Sequence, residues 1–517
     1  MTNKDTEATW NYHNQTKHSY RSVRSDPHYL DWSNQPIPFK IYSGLEPIPL
    51  PRQWDESEMP ALLALSESVP LTDGESIPGL RDLARLLYFS AGITKRKNYP
   101  GGEILFRAAS CTGALYEVEL YVVCGDLPDL LAGVYHFSPK DFALRRLRQD
   151  DYRRVLAQAS SEESTVVQAP AVIISTGTYW RNAWKYRART YRHFGWDNGT
   201  ILANLFAMSS ALKFPARLVL GFMDDQVNRL LDLDVEREVT LSLVAVGHSK
   251  QKTPESYPSL EPLRLKTVPL SHKEIDYPEM RAMHATTYLA SAEEVAQWRG
   301  GTPVSAFPPA KGALYKLDPL VEDGVPRDPL EQVVLRRGSS RQFERKPISF
   351  QEFSTMLYYS AQGISADFLE PSGVLLNDEY LIVHAVEGLP SGAYVLHREG
   401  WKLELLKEGN FRNKAGYLGL EQELPADASA DVFFLADLKP ILERFGNRGY
   451  RAVQLEAGIL GGKLYLSTYA QRLGATGLTF YDDDVVDFFS PHAKGKSAIF
   501  LMALGHGKKR HLVKQSS

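Results

Sequence analysis

The sequence predicts an α+β protein in which one sandwich-type domain occurs twice in tandem. Three observations carry that prediction: ordered self-similarity between the halves, the same succession of helix-spaced and strand-like segments in each, and a length of 517 residues, which suits two to four domains. Leu87-Tyr88-Phe89-Ser90-Ala91-Gly92-Ile93 matches Leu357-Tyr358-Tyr359-Ser360-Ala361-Gln362-Gly363-Ile364, and ELYVV from Glu119 matches EYLIV from Glu379. Gly133 and Tyr135 answer Gly392 and Tyr394, and Tyr191-Arg192 answers Tyr450-Arg451. GFMDDQV answers FYDDDVV, and VAVGH, ending at His248, answers MALGH, ending at His506. The register stays near 260–270 residues throughout.

Each copy opens with a helix, since Leu80, Leu83, Leu86 and Leu87 recur at helical spacing. LYVV or YLIV, a turn, and GVYHF or GAYVL then read as paired strands. A long amphipathic helix is expected over about Tyr191–Leu212 and again over Tyr450–Leu473. Asp224-Asp225 and Asp482-Asp483-Asp484 mark helix starts, where Asp serves as a cap and suits the macrodipole. Each copy closes on an apolar strand, LSLVAVG or IFLMALG. The expected divisions are an aromatic and proline-rich N-terminal arm (1–75), a first domain (76–250), a linker that wraps the surface (251–325) and a second domain (326–517).

Composition excludes several classes. A net charge of -3 carries no nucleic-acid footprint, and two cysteines, Cys111 and Cys124, make neither a zinc site nor a disulfide framework, so no metal is expected. The polar N-terminus lacks a signal-peptide core and no apolar run is long enough for a membrane span, so a soluble, cytoplasmic protein is expected. There is no GxGxxG after a strand, no Walker loop and no GxSxG.

The chemistry centres on Arg336-Arg337-Gly338-Ser339-Ser340-Arg341-Gln342-Phe343, at the opening of the second copy. Two guanidinium forks and a hydroxyl on alternate positions suit an oxyanion, although in isolation such a turn reads as a solvated basic loop. RxSxRxF before a helix, an S-x-T-G-A-L-Y strand entry and a late GATGLTFYDDD resemble the nitroreductase superfamily. The N-terminal pattern of Tyr12-His13, Thr16-Lys17-His18-Ser19, Asp31-Trp32 and Pro38-Phe39-Lys40 is similar to its SagB-type branch, which includes the azoline oxidases of thiazole/oxazole-modified peptide biosynthesis. The resemblance covers nearly the whole chain. It implies two nitroreductase-like α/β sandwich domains, each with a central mixed sheet, paired as an intramolecular pseudo-dimer around FMN.

Position by position, the resemblance assigns Arg337, Ser339 and Arg341 to FMN, with Gly338 where the family often has Arg. Arg107, Ser110, Thr112 and Gly113 match the segment that reaches the flavin from the partner subunit, with Ala109 in place of a common proline. Gly477 and Leu478 match the stretch beside the isoalloxazine, and Lys508 and Arg510 lie where a C-terminal cation contacts the phosphate. Lys185-Tyr186 matches a pair implicated in azoline oxidation, where a lysine of lowered pKa or a tyrosine beside a cation would remove a proton. Without the family the same stretch, with Arg181, Arg187, Arg189 and Arg192, reads as a solvated basic face or an anion-binding one.

The copies differ at these positions. Counting back from the matched leucines places Glu67 and Leu71 opposite Arg337 and Arg341, and Arg444-Phe445 opposite Lys185-Tyr186. The arm with SxTG is shortened in the second copy to EPSGVLL. One composite FMN site per chain is therefore expected, used to dehydrogenate a peptide or small heterocycle. The alternatives are a NAD(P)H-dependent nitro- or quinone-type reductase and a flavin-holding or peptide-binding scaffold without turnover. Nucleic-acid and membrane partners are not expected, and the chain is expected as a monomeric pseudo-dimer or a loose homo-oligomer.

Overall fold

The computed structural model describes residues 2–66, 69–70, 74–99, 102–303 and 307–508. After helix Glu7–Gln15 the chain lays down β1 (Pro47–Pro49), helix Ala61–Ser66 and helix Leu80–Ala91. A hairpin follows, β2 (Ile93–Tyr99) and β3 (Gly102–Arg107), then β4 (Val118–Cys124), β5 (Gly133–Ser138), β6 (Ala143–Gln149) and β7 (Ala171–Thr178). Helices Tyr179–Tyr186 and Thr190–Ala211 lead to β8 (Ala216–Val219), helix Asp224–Leu231 and β9 (Glu238–Val246). The connection carries helices Pro278–Ala285 and Ala292–Trp298. The second copy repeats the plan with β10 (Leu314–Lys316), helix Leu330–Arg336, β11 (Phe343–Glu344), helix Phe350–Ser360, β12 (Asn377–Val383), β13 (Gly392–His397), β14 (Lys402–Glu408) and β15 (Ala430–Ala436). It ends with helices Leu438–Phe445 and Arg448–Ala470, β16 (Gly474–Leu478), helix Asp482–Phe489 and β17 (Ser497–Gly507).

The strands form two large sheets, β1-β6-β5-β4-β7-β9-β8 and β10-β14-β13-β12-β15-β17-β11 with β16 on β17 as β8 is on β9, and the separate β2–β3 hairpin. This is the tandem nitroreductase-like architecture expected. The mixed sheet that the resemblance implied is corrected: every ladder between the described strands is antiparallel. The reason is local, since each sheet grows by antiparallel hairpins such as β4–β5 and β12–β13, which tight turns permit. Each sheet also takes its edge strand, β1 or β10, from outside the expected spans 76–250 and 326–517. The Pro-flanked sequence of β1 suits an edge, where a missing N–H costs no ladder bond.

The opening helices share one cap design. In helix Leu80–Ala91 the Asp82 carboxylate accepts the Gly79 N–H at 2.9 Å, and in Phe350–Ser360 the Ser349 and Glu352 side chains exchange bonds with each other's backbone. The two long helices are not amphipathic, as the sequence suggested, but buried on almost every face. They pack against each other at the pseudo-dimer core, so neither has a solvent side. Their backbones touch: a Cβ built on Gly199 would lie 2.5 Å from the Gly458 backbone, and one on Gly462 2.5 Å from Ala203 Cβ. Gly199→Ala is therefore expected to destabilise the protein by about 1–3 kcal/mol, because overpacking outweighs the helix preference of alanine. A denaturation midpoint at or above that of the parent would contradict this.

The described stretch 251–303 of the connection packs as a strap: Met280, Met283, Val295 and Trp298 are buried, and Trp298 Nε1 donates to the Phe445 carbonyl at 2.9 Å. Among the described residues no helix is long and apolar enough to cross a membrane.

Candidate functional site between the two copies

Helix Leu330–Arg336 ends at Arg337, and the chain then turns beneath the first copy's hairpin. Arg337 Nε donates to the Ala108 carbonyl at 2.9 Å and Nη2 to the Arg107 carbonyl at 3.1 Å, so the loop is docked on the partner copy's backbone. Its guanidinium also lies 5.5 Å from the Tyr465 ring centroid. Ser339 Oγ sits 3.0 Å from Tyr465 OH, which accepts the Gly477 N–H at 2.7 Å. One phenol thus ties the RxSxR loop to the strand that bears Gly477 and Leu478. Gly338 faces open space, its nearest neighbour for a built Cβ being Tyr469 OH at 3.8 Å. The absence of the family's arginine here therefore leaves room beside Ser339 rather than a filled contact.

The first copy supplies the opposite wall. Thr112 donates through both N–H and Oγ1 to Asp197 at 2.9 Å, and the Ser110 carbonyl accepts Thr200 Oγ1 at 2.7 Å. Gly113 has φ +64°, and a Cβ there would lie 3.0 Å from Tyr186 OH, so glycine lets the loop back directly onto the phenol. Tyr186 packs edge-on against His193 at 4.6 Å, and Lys185 Nζ lies 5.3 Å from the Tyr186 ring.

Electrostatics separate the two members of that pair. Burial, and next the charge of Arg341, push the Lys185 amine below its ordinary pKa. Burial, then the Asp197, Cys111 and Glu117 groups, push the Tyr186 phenol up, against a lowering by Arg341. The lysine is thus shifted toward its neutral form and the tyrosine is held in its protonated one. Behind them Cys111 Sγ lies 3.3 Å from Asp197 and 3.4 Å from Glu117. Burial and the Glu117 charge hold the Asp197 carboxyl well above its usual range, and burial raises the Cys111 thiol.

Not every assigned residue joins the wall. Arg107 turns its buried guanidinium inward, donating Nη2 to the Pro38 carbonyl at 2.6 Å and lying against Phe39 and Tyr116, so only its carbonyl meets the second copy. Lys508 is exposed and is joined to the loop through its N–H, which donates to the Gln342 carbonyl at 3.0 Å. Arg510, like Glu67 and Leu71, lies outside the described residues.

Sequence reasoning missed Lys95, on β2, whose Nζ donates to the Arg337 carbonyl at 2.7 Å and the Arg336 carbonyl at 3.2 Å. Burial and the Arg337 charge lower its pKa. Only its place on the arm that is longer in the first copy marked it. Lys95 thus lies against Arg337, and Lys185 within reach of the Arg341 charge, and among the described residues none of the four is in an ion pair. Such a group of like charges calls for an anion. A phosphate fits the donor set of guanidinium, ammonium and hydroxyl groups.

The other arginines of this stretch are each engaged in an ion pair. Arg189 and Arg192 bind Asp482 of the second copy at 3.2 and 2.6 Å, while Arg448 and Arg451 bind Asp224 of the first at 2.6 and 2.8 Å. Arg181 is buried on Glu119 at 2.6 Å, and Arg187 pairs with Asp26. The Asp runs do begin helices, but Asp224 and Asp482 spend their carboxylates across the copy interface, not on their own N-termini.

The fold defines the class: a tandem nitroreductase-like architecture. No family model matches the chain. A protein of Methanocaldococcus jannaschii assigned as a nitroreductase is 26% identical over 168 residues, which are 32% of this chain and 80% of that protein. The crystal structure of an assigned nitroreductase from Anabaena variabilis, 26% identical, superimposes with a TM-score of 0.77 over 97% of this chain and 99% of its own. Both relatives support an oxidoreductase of the nitroreductase superfamily.

Proposed function

We propose that this chain is an FMN-dependent oxidoreductase of the SagB type that dehydrogenates a peptide or small heterocyclic substrate, as in azoline-to-azole conversion, at one composite site. The observation that carries it is that two like-charge pairs span the copies, Lys95 against Arg337 and Lys185 within reach of Arg341, with no ion-pair partner among the described residues. Ser339 and Arg341 would hold the phosphate end, with Arg337 contributing through Nη1 because its Nε and Nη2 already donate to the Ala108 and Arg107 carbonyls, and Gly477 and Leu478 would line the ring. FMN, when bound, would supply the hydride acceptor. Lys185 takes the proton from the neighbouring substrate atom, and Tyr186 donates a hydrogen bond that orients the reacting group.

The reciprocal side supports a single site. By sheet register Leu218 occupies the position of Gly477, and it is covered: its N–H donates to the Ser365 carbonyl at 2.9 Å and its carbonyl accepts the Asp367 N–H at 3.0 Å. Phe206 and Phe445 stand where Tyr465 and Tyr186 stand, without either phenol oxygen. Arg444 spends its guanidinium on the Arg299 and Gly300 carbonyls at 2.7 Å. A cavity of about 560 Å³ remains nearby, but its Arg217 lies 3.5 Å from Glu163 and 3.7 Å from Glu370, already neutralised.

Purified protein is expected to carry a single FMN per chain, counted by absorbance after release. Arg337→Ala and Arg341→Ala are each expected to weaken FMN binding by about 10- to 100-fold, the worth of one charge-assisted hydrogen bond. Two flavins per chain, or full retention in the double variant, would overturn the composite site. Bleaching of the flavin by NADPH but not by an azoline-containing peptide would reverse the proposed direction of the reaction.

A further inference from the structure

We propose that the first copy holds a second ligand site, apart from the interdomain cleft, which binds a small carboxylate or inorganic oxyanion against Arg181 and Thr178. A cavity of about 120 Å³ lies where β7 passes into helix Tyr179–Tyr186, closed over by Lys40 and Tyr42 of the N-terminal segment and by Thr267 and Leu270 of the strap. On this measure a water needs roughly 10–15 Å³, so the space admits a small molecule.

Arg181 and Thr178 are among the residues that line the cavity, and both carry buried donors without a partner. Arg181 is fully buried, and its Nη1 donates to the Tyr116 carbonyl and to Glu119 Oε1, both at 2.6 Å. Among the described residues its Nε and Nη2 have no partner, nor has the buried Thr178 hydroxyl. Nε–H and Nη2–H form the edge of a guanidinium that grips two oxygens of one anion, and buried polar groups in folded proteins are seldom left unsatisfied.

Arg181 pairs with Glu119, and Lys40 with Glu238 at 2.5 Å. Buried Arg107, whose charge reaches both Glu119 and Arg181, has no ion pair of its own and leaves its Nε unpartnered. His136, 3.0 Å from Glu119, is held neutral because burial lowers its pKa. Arg181 and Lys40 are thus each matched by one carboxylate, and the Arg107 charge reaches Glu119 as well. Asp232 and Asp234 also line the cavity, at its solvent end, where Arg237 pairs with Glu274. There water screens them, and Asp232 already accepts the Arg264 N–H at 3.1 Å. Arg181 lies one helical turn from Lys185, so an anion on its free edge fixes the helix that carries the Lys-Tyr pair.

The test is calorimetric titration of the full-length protein with sodium formate, then with inorganic phosphate, in a bulky sulfonate buffer at constant ionic strength. One saturable equivalent per chain is expected, with a thermal midpoint that rises with formate concentration. Thr178→Val, which keeps the side-chain shape, is expected to weaken binding at least about tenfold, as for the loss of one hydrogen bond to a charged group. Arg181→Lys keeps the charge on Glu119 but lacks the two-pronged edge, and is expected to abolish binding. No saturable binding of either anion would mean that the cavity holds water only. Equal affinity in the parent and Thr178→Val would place the ion elsewhere, and either result overturns the proposal. These readouts use no turnover, so they stand or fall independently of the flavin reading.

Discussion

Lys185→Gln is expected to slow substrate-driven reduction of the bound flavin by about 10²–10⁴, the usual worth of a general base, with flavin content unchanged. The amine is half-buried, and burial and Arg341 disfavour its charged form, so a larger share is free base near neutrality than for an exposed lysine of pKa about 10.4. The sign of the pH dependence follows. The rate should rise with pH as the ammonium loses its proton, on a limb below the ordinary lysine value, and fall away in acid. Arg341→Gln removes a positive neighbour and should move that limb upward. Tyr186→Phe should keep the limb while lowering the rate, because the phenol is held protonated. Stopped-flow traces from pH 6 to 10 distinguish these outcomes, and a limb that survives Lys185→Gln would remove Lys185 from the base role.

Asp482→Ala is expected to cost about 3–5 kcal/mol, since it leaves Arg189 and Arg192 buried without a counter-charge. Asp224→Ala should cost a similar amount on the other side of the pseudo-axis, where Arg448 and Arg451 would be stranded. The acid limb is also defined. The two arginines overcome the burial penalty and hold the Asp482 carboxyl down at about 2, below the roughly 3.9 of an unfolded aspartate. Its contribution is therefore present above about pH 4 and is lost as the pH falls toward 2. Urea midpoints for the parent and the two variants between pH 3 and 7 test both statements. A variant as stable as the parent at pH 7 would show that the clusters are dispensable.

These clusters also show what the sequence could and could not disclose. The strand pairs and the long helices were legible because their patterns are local and occur twice. The role of Asp482 was not, because its partners lie about 290 residues away and nothing near it in the chain distinguishes a cap from an ion pair. A signal was nevertheless present: the Asp runs recur within one residue of the same register, with Asp224 and Asp482 each opening its helix, and Arg192 matches Arg451. Residues held in both copies proved to be interface groups, while the RxSxR loop and the Lys-Tyr pair occur in only one. Arg107 and Lys95 were beyond that comparison. Which way the first side chain turns, and that the second crosses to the Arg337 carbonyl, depend on how the hairpin lies over the second copy.

The crossing of the two long helices has a wider consequence. Where identical subunits meet, a glycine on the axis faces its own image, and any replacement is made on both sides at once. Here Gly199 faces Gly458, two separate codons, so each side of the seam can be rewritten alone. Two phenol oxygens are missing from one side and present on the other, while both Asp–Arg clusters stand intact. Covalent fusion thus lets one half become a permanent scaffold for the other, a division of labour closed to a homodimer.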